Sequence, residues 1–452
     1  MDALQYTIGF LVFFVGILVS IALHELGHMI PAKRFGGKVT QYFIGFGPTV
    51  WSKQVGETEY GVKAIPLGGY VKIVGMLPPG AEELADEVTV GADGQQVTRV
   101  RKSNTGMFTQ LISDARAAEW ELVGPEDSDR LFYKMAWWKK VVVMAGGPTV
   151  NVLIAFFLFS AVFATYGNGN DEKITTTVDV VEACIVPSDE SGRVCTQQEI
   201  ADQPTPAYEA GIRPGDRFVS FNGTDVTDWT QVQHLIRENG NGQATIVVER
   251  DGALKTIRTK TTVTPRQIDE NADPEPVGFL GVAPTTEPTT GGPIYTVQQM
   301  GGMTVDVVHA LATLPPKVLD VGKAIFGLEK RDPEGPVSIV GGGRLAGEVA
   351  SHDGSTATEK VVFFSMLLAG FNLFIGLFNF IPLLPLDGGH IASALWEALR
   401  RGMARLRGRP DPGYVDAAKL LPVAYVVASA LLVMGVVLIV GDLVVPVHLD
   451  GT

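Results

Sequence analysis

Residues Tyr6 to His28 read YTIGFLVFFVGILVSIALHELGH, an uncharged apolar run to Leu23 that ends in two histidines enclosing a glutamate. Such a run is long enough to cross the roughly 30 Å hydrocarbon core of a bilayer as a helix. On a helix continuing through Arg34, His24 and His28 stand four residues apart on one face. Their ring nitrogens can then converge on one metal, while Glu25 reaches a water beside it. Polar side chains at the end of a membrane helix are costly unless they coordinate, pair or meet water. The competing reading makes the two histidines interfacial anchors. No basic residue precedes the run and no small-residue cleavage site follows it, so it reads as a retained span rather than a secretory signal peptide.

Three more uncharged runs are long enough to span: Val141 to Tyr166, Val361 to Leu386 and Leu420 to Gly441. The composition agrees, with 46% apolar and 19% charged residues among 452 and a mean hydropathy of +0.20. The lipid bilayer is therefore an expected partner. Nucleic acid is not, because 36 basic against 49 acidic residues leave a net charge of −13 and no general grip on phosphates. Lys33, Arg34 and Lys38 follow the first span, Lys134, Lys139 and Lys140 precede the second, and Arg400, Arg401, Arg405, Arg407 and Arg409 separate the third from the fourth. The positive-inside rule puts all three groups in the cytoplasm and both termini outside it. Residues 167 to 360 are then extracytoplasmic and contain both cysteines, Cys184 and Cys195. A disulfide is permitted there, as are two free thiols.

The chain accordingly reads as 1–35, the first span with HELGH; 36–76, a cytoplasmic, membrane-associated β loop; and 77–133, an acidic cytoplasmic insertion. It continues as 134–166, the second span; 167–282, an extracytoplasmic domain; and 283–357, a linker with amphipathic helices. The third span with LDG follows at 358–390, then a basic cytoplasmic loop at 391–418, and the fourth span with a tail at 419–452. Thr58 to Val74 alternates around Pro66, Gly68 and Gly69, as expected of a β-hairpin or looped sheet with an exposed edge. Ala283 to Pro293, rich in Pro, Thr and Gly, should be extended and mobile. Val305 to Leu328 spaces Val308, Leu311, Val318, Ile325 and Leu328 along one face. Pro315 and Pro316 break it into two expected short helices on the membrane or on the bundle, a face that packing alone also explains.

In the extracytoplasmic segment, AGIRPGDRFVSFNGTDV (Ala210 to Val226) carries an apolar strand closed by the Asn222-Gly223 turn. A helical stretch, Gln231 to Glu238, follows, then two β-rich runs, Ala244 to Arg250 and Leu254 to Thr262, around Asp251 and Gly252. This order resembles a single PDZ domain of the bacterial, circularly permuted kind. Such domains hold peptides by strand addition. No clear carboxylate-binding loop stands out; Thr175 to Val181 is the candidate, and a steric or gating role competes with peptide binding.

A catalytic zinc takes three protein ligands and leaves one position open. Of seven histidines, His234, His309, His352 and His448 fall on the far side from HELGH. His390 and the cytoplasmic carboxylates remain. In NFIPLLPLDGGH, Asn379 to His390, prolines break the third span just before Asp387. That carboxylate reaches a depth similar to HELGH near the same face and is the expected third ligand. His390 fits an interfacial histidine better than a residue behind the ligands.

HELGH, FGPTV (Phe46 to Val50), IPLGGYVK (Ile65 to Lys72), GGPTVN (Gly146 to Asn151), GPVSIVG (Gly335 to Gly341) and NFIPLLPLDG together resemble the bacterial site-2 protease family. Within it they resemble the intramembrane zinc metalloproteases of the regulator of sigma-E protease type. The resemblance implies a membrane α-helical bundle of four transmembrane helices, an inserted extracytoplasmic α/β PDZ domain and a cytoplasmic membrane-associated β-hairpin. It implies Zn2+ held by His24, His28 and Asp387, Glu25 as general base, and Asn379 on the substrate backbone. Gly68, Gly69 and Tyr70 would pair with an unwound substrate, and Asn151 would steady helix packing. The implied substrates are single-span membrane proteins of the bacterial inner membrane, such as anti-sigma factors or remnant signal peptides, after a first cut by a site-1 protease. Some relatives carry two PDZ domains where this sequence shows one. A catalytically silent membrane PDZ adaptor is the alternative, and it predicts a broken metal site. A small transporter would need paired repeats that are not found.

Overall fold

The computed structural model describes residues 3–78, 112, 114–116, 123–186, 195–266 and 275–448. Most of the acidic insertion expected at 77–133 lies outside them. The chain divides into two compact units, Met1–Val162 with Gly292–Thr452, and Phe163–Gly291. Among the described residues, four helices are long and apolar enough to cross a membrane: Ala3–Arg34, Trp137–Thr165, Ala357–Asn379 and Ala417–Val444.

The first unit begins with α1 (Ala3–Arg34) and an antiparallel pair, β1 (Val39–Val55) and β2 (Thr58–Ile73). Of the two forms expected for Thr58 to Val74, the looped sheet with an exposed edge is the one found: the segment supplies strands to both sides of β1 rather than a hairpin of its own. Tyr42 faces Tyr60 on one flank and Val71 on the other, while Gln54 returns to face Glu59. Spatially the segments run 49–55, 58–63, 39–46 and 69–73, so 69–73 is an edge. The bends fall where glycine permits them: Gly45 and Gly68 have φ of 91° and 96°, which L side chains rarely adopt. Lys38 pairs with the buried Asp127 at 2.7 Å, and Phe132 N–H donates to Val74 C=O at 3.0 Å, bringing the chain back to this sheet before α2 (Trp137–Thr165).

The second unit holds a sheet of β3 (Asn168–Val181), β4 (Arg217–Phe221), β5 (Thr224–Asp225), β6 (Gln243–Arg250), β7 (Ala253–Lys260) and β10 (Val282–Thr289). Its order is β10-β3-β4-β6-β7, with β5 on β4 and a separate hairpin of β8 (Thr262–Arg266) and β9 (Glu275–Phe279). Between β3 and β4 come two short helices, α3 (Gln197–Asp202) and α4 (Pro206–Glu209). α5 (Trp229–Glu238), capped by Asp228, lays Trp229, Val232 and Ile236 into a core with Phe218, Phe221, Ile246 and Val248. Cys184 and Cys195 are joined by a disulfide. Two expectations fail here. Ala283 to Pro293 is not a mobile linker, because most of it is β10, paired with β3; nor is Thr175 to Val181 a loop, being part of β3. Thr and Val favour strands, and at a sheet edge Pro288 breaks no central ladder.

Returning to the first unit, α6 (Pro293–Ile325) runs unbroken through Pro315 and Pro316, against the expectation of two short helices. A proline inside a helix costs about 3 kcal/mol. Val318 and Val321 are buried on this helix, which packs on the last span, so tertiary context overrides the local signal. α7 (Ile339–Ser351), unanticipated as a separate helix, starts on the Ser338 cap and lies against α1, its Gly343 and Gly347 facing Phe10 and Tyr6. α8 (Ala357–Asn379) ends earlier than the span expected to Leu386, since Pro382 and Pro385 cannot continue it. Asp387 therefore opens a new helix, α9 (Asp387–Leu406), which takes up much of the expected basic loop. α10 (Leu421–Val444) closes the unit.

Candidate metal centre

Three elements build a cluster of two histidines and a carboxylate, two supplying its side chains and the third orienting one of them. α1 presents His24 and His28 one turn apart, with their Nε2 atoms 3.2 Å from each other. α9 begins at Asp387, whose Oδ2 lies 3.4 Å from His24 Nε2 and 3.3 Å from His28 Nε2. At the N-terminal end of α9 the helix dipole favours a carboxylate. Gly388 permits the sharp entry, because a Cβ there would stand 2.1 Å from the Ile381 carbonyl oxygen. Among the described residues no other group of histidines, cysteines and carboxylates converges this closely.

The third element is α2. Its Val143 carbonyl lies 2.8 Å from His28 Nδ1, so Nδ1 donates and Nε2 keeps its lone pair for the cluster. His24 Nδ1 is buried without a hydrogen-bond partner among the described residues. Gly147 faces the cluster, where a Cβ would fall 2.3 Å from His28 Nε2 and 2.7 Å from His24 Nε2. That space suits a metal. Tetrahedral ligands 2.0–2.1 Å from a zinc ion lie about 3.3 Å from one another, close to the three separations observed. The approach of α1 to α2 is itself set by glycine, since a Cβ on Gly146 would overlap the Gly27 carbonyl oxygen at 2.0 Å.

Around this cluster the remaining expected residues take different places. Glu25 lies beside the edge segment of β2: a Cβ on Gly69 would be 3.0 Å from its Cγ. Tyr70 stacks on Phe43 at 5.7 Å, and its hydroxyl donates to Gln41 Oε1 at 3.3 Å. Gly68 makes the bend that leads into this edge. Asn379 Nδ2 donates to the Ile375 carbonyl of its own helix at 3.1 Å, so its amide is not part of the cluster. Asn151 is buried beside Gly376 of α8. Sequence reasoning missed Val143, which acts through a backbone carbonyl and leaves no residue signature. It also missed Gly147, whose signal was the GG of GGPTVN.

Residues 12–411 match peptidase family M50, and the chain belongs to that family, the site-2 proteases. It is a zinc metalloprotease with zinc as its cofactor, and an integral membrane protein. The relatives sharpen this. The chain is 36% identical to the zinc metalloprotease Rip1 of Mycobacterium tuberculosis over 99% of its own length and all of the relative's. It is 34% identical to Rip1 of Mycolicibacterium smegmatis over the same shares. A putative zinc metalloprotease of Brucella suis shares 27% identity over 87% of each chain.

Proposed function

We propose that His24, His28 and Asp387 hold the zinc, that Glu25 is the general base, and that the protein cuts single-span membrane proteins inside the membrane. The convergence of three ligand atoms within 4.8 Å on a membrane-length helix and its neighbour carries this reading. Zinc, when bound, polarises the scissile carbonyl and acidifies water at the site. Glu25 takes the proton and returns it to the leaving amine. Asn379, at the end of α8, turns its amide from its own helix to the substrate backbone. A substrate helix in lipid hides its carbonyls in its own hydrogen bonds. The edge segment 69–73, with Gly68, Gly69 and Tyr70, receives the unwound segment as an added strand, which keeps its amides paired.

The extracytoplasmic domain expected at 167–282, with β10 completing its sheet, is the PDZ domain, excluding substrates whose outer part has not been removed by a site-1 protease. β10, at one end of the sheet order, is compatible with strand addition there. Anti-sigma factors and remnant signal peptides fit this substrate class. In the bacterial inner membrane both termini lie outside the cytoplasm. The silent-adaptor alternative predicts a degraded site, and His24, Glu25, His28 and Asp387 are all intact.

The test is cleavage of a tagged, outer-truncated single-span protein by the purified full chain. Glu25→Gln is expected to bind zinc normally and lose at least about 100-fold in cleavage rate, the scale of a missing general base. Cleavage by Glu25→Gln at the wild-type rate would remove Glu25 from the chemistry.

A further inference from the structure

Far from the chemistry, the structure contains a buried ion pair that the reaction does not use. We propose that Lys140 and Glu397 are positioning residues that fix the register between α2 and α9, and so the separation of Asp387 from His28. The proposal rests on the zinc-ligand reading above.

Lys140 Nζ lies 2.8 Å from Glu397 Oε2, with side chains 7% and 2% exposed. The surroundings complete a network. Arg401 Nη1 stands 3.3 Å from the other Glu397 oxygen, Arg401 Nε stands 3.3 Å from Asp411 Oδ1, and the Val415 N–H points at Glu397 Oε2 from 3.5 Å. The Tyr414 ring sits 5.1 Å from Lys140 Nζ and 4.7 Å from the Arg401 guanidinium.

Helical spacing connects this network to the metal centre. On α9, Asp387, His390, Ala394 and Glu397 lie three or four residues apart and share one face; on α2, Lys140, Val143 and Gly147 do the same. Between the two ends, Ile391 packs on the cluster that contains Val143 and Met144. His28 is tied to α2 through the Val143 carbonyl, whereas Asp387 belongs to α9. Their 3.3 Å separation therefore depends on how α2 and α9 are held lengthwise. Apolar contacts tolerate sliding; a buried ion pair does not. A buried pair adds little stability over well-packed apolar residues, and fixing register is its best-attested use. Glu397 is about 15 Å along the helix from Asp387 and takes no part in the chemistry.

Zinc release from the purified full-length protein into excess chelator, together with the melting temperature, tests this. Lys140→Met/Glu397→Met should melt near the wild-type temperature and yet release zinc about tenfold faster, the low end of effects seen when supporting groups are lost. Glu397→Gln should move release in the same direction, and Lys140→Arg should keep the wild-type rate. A folded double variant that releases zinc at the wild-type rate would overturn the proposal, leaving the pair as packing. Should the double variant not fold, Glu397→Gln decides: release within twofold of wild type overturns it. Wild-type protein without stoichiometric zinc would instead overturn the ligand reading, and this proposal with it.

Discussion

At position 147 a single methyl group would fill the space beside the proposed zinc ligands His24 and His28. The Cβ of alanine there would take up the space beside both Nε2 atoms, at a distance a zinc ion needs for itself. Gly147→Ala is expected to fold and to lose stoichiometric zinc, read by metal analysis; retention of one zinc per chain would show that the ion sits elsewhere. His24, Glu25 and His28 are legible because a local helix puts them on one face. Asp387 is legible only with topology added: setting aside the remote histidines leaves His390 and the cytoplasmic carboxylates, and Asp387 stands out among them by its depth near HELGH. The Val143 carbonyl could not be found, since any residue supplies a carbonyl and only the crossing of α2 over α1 aims it at His28 Nδ1.

Among the elements, local signals failed wherever a neighbour changed the balance. Pro315 and Pro316 marked a break that the packing of α6 on α10 removes. The Pro and Thr content of residues 283–293 marked a linker, and the edge of β3 made most of it a strand. The β4–β6 pair offers a test of its own. Asp216, buried ahead of β4, binds Arg250 at 2.6 and 2.7 Å. Burial works against the charged carboxylate, but Arg250 and the Arg213 amide hold its pKa below the ordinary value. The folded pKa being the lower one, the stabilisation is present above the unfolded value of about 3.9 and fades as pH falls through the folded one. Asp216→Asn leaves Arg250 without its buried partner and should weaken this unit by about 3 kcal/mol at neutral pH. Amide exchange in β4 and β6, corrected for intrinsic rates, should show that loss at pH 7 and a smaller difference from wild type below pH 4. An equal difference at both pH values would count against the ion pair.

For the molecule as a whole, four membrane-length helices were legible from uncharged runs. The end of the third was not, because apolar residues continue past Asn379 while the helix stops. The proposed orientation follows from the basic residues flanking these helices. Cysteines introduced at the exposed positions His234 and Arg409 should respond oppositely to a membrane-impermeant thiol reagent applied from outside, the first labelled and the second protected. The reverse pattern would invert the topology and move the metal centre to the other face.

The most direct measurement of the central claim is the zinc content of the purified, folded protein and of four variants. One zinc per chain is expected in wild type and in Glu25→Gln, and its loss in His24→Ala, His28→Ala and Asp387→Ala. A full complement of zinc in Asp387→Ala, or none in folded wild type, would contradict it.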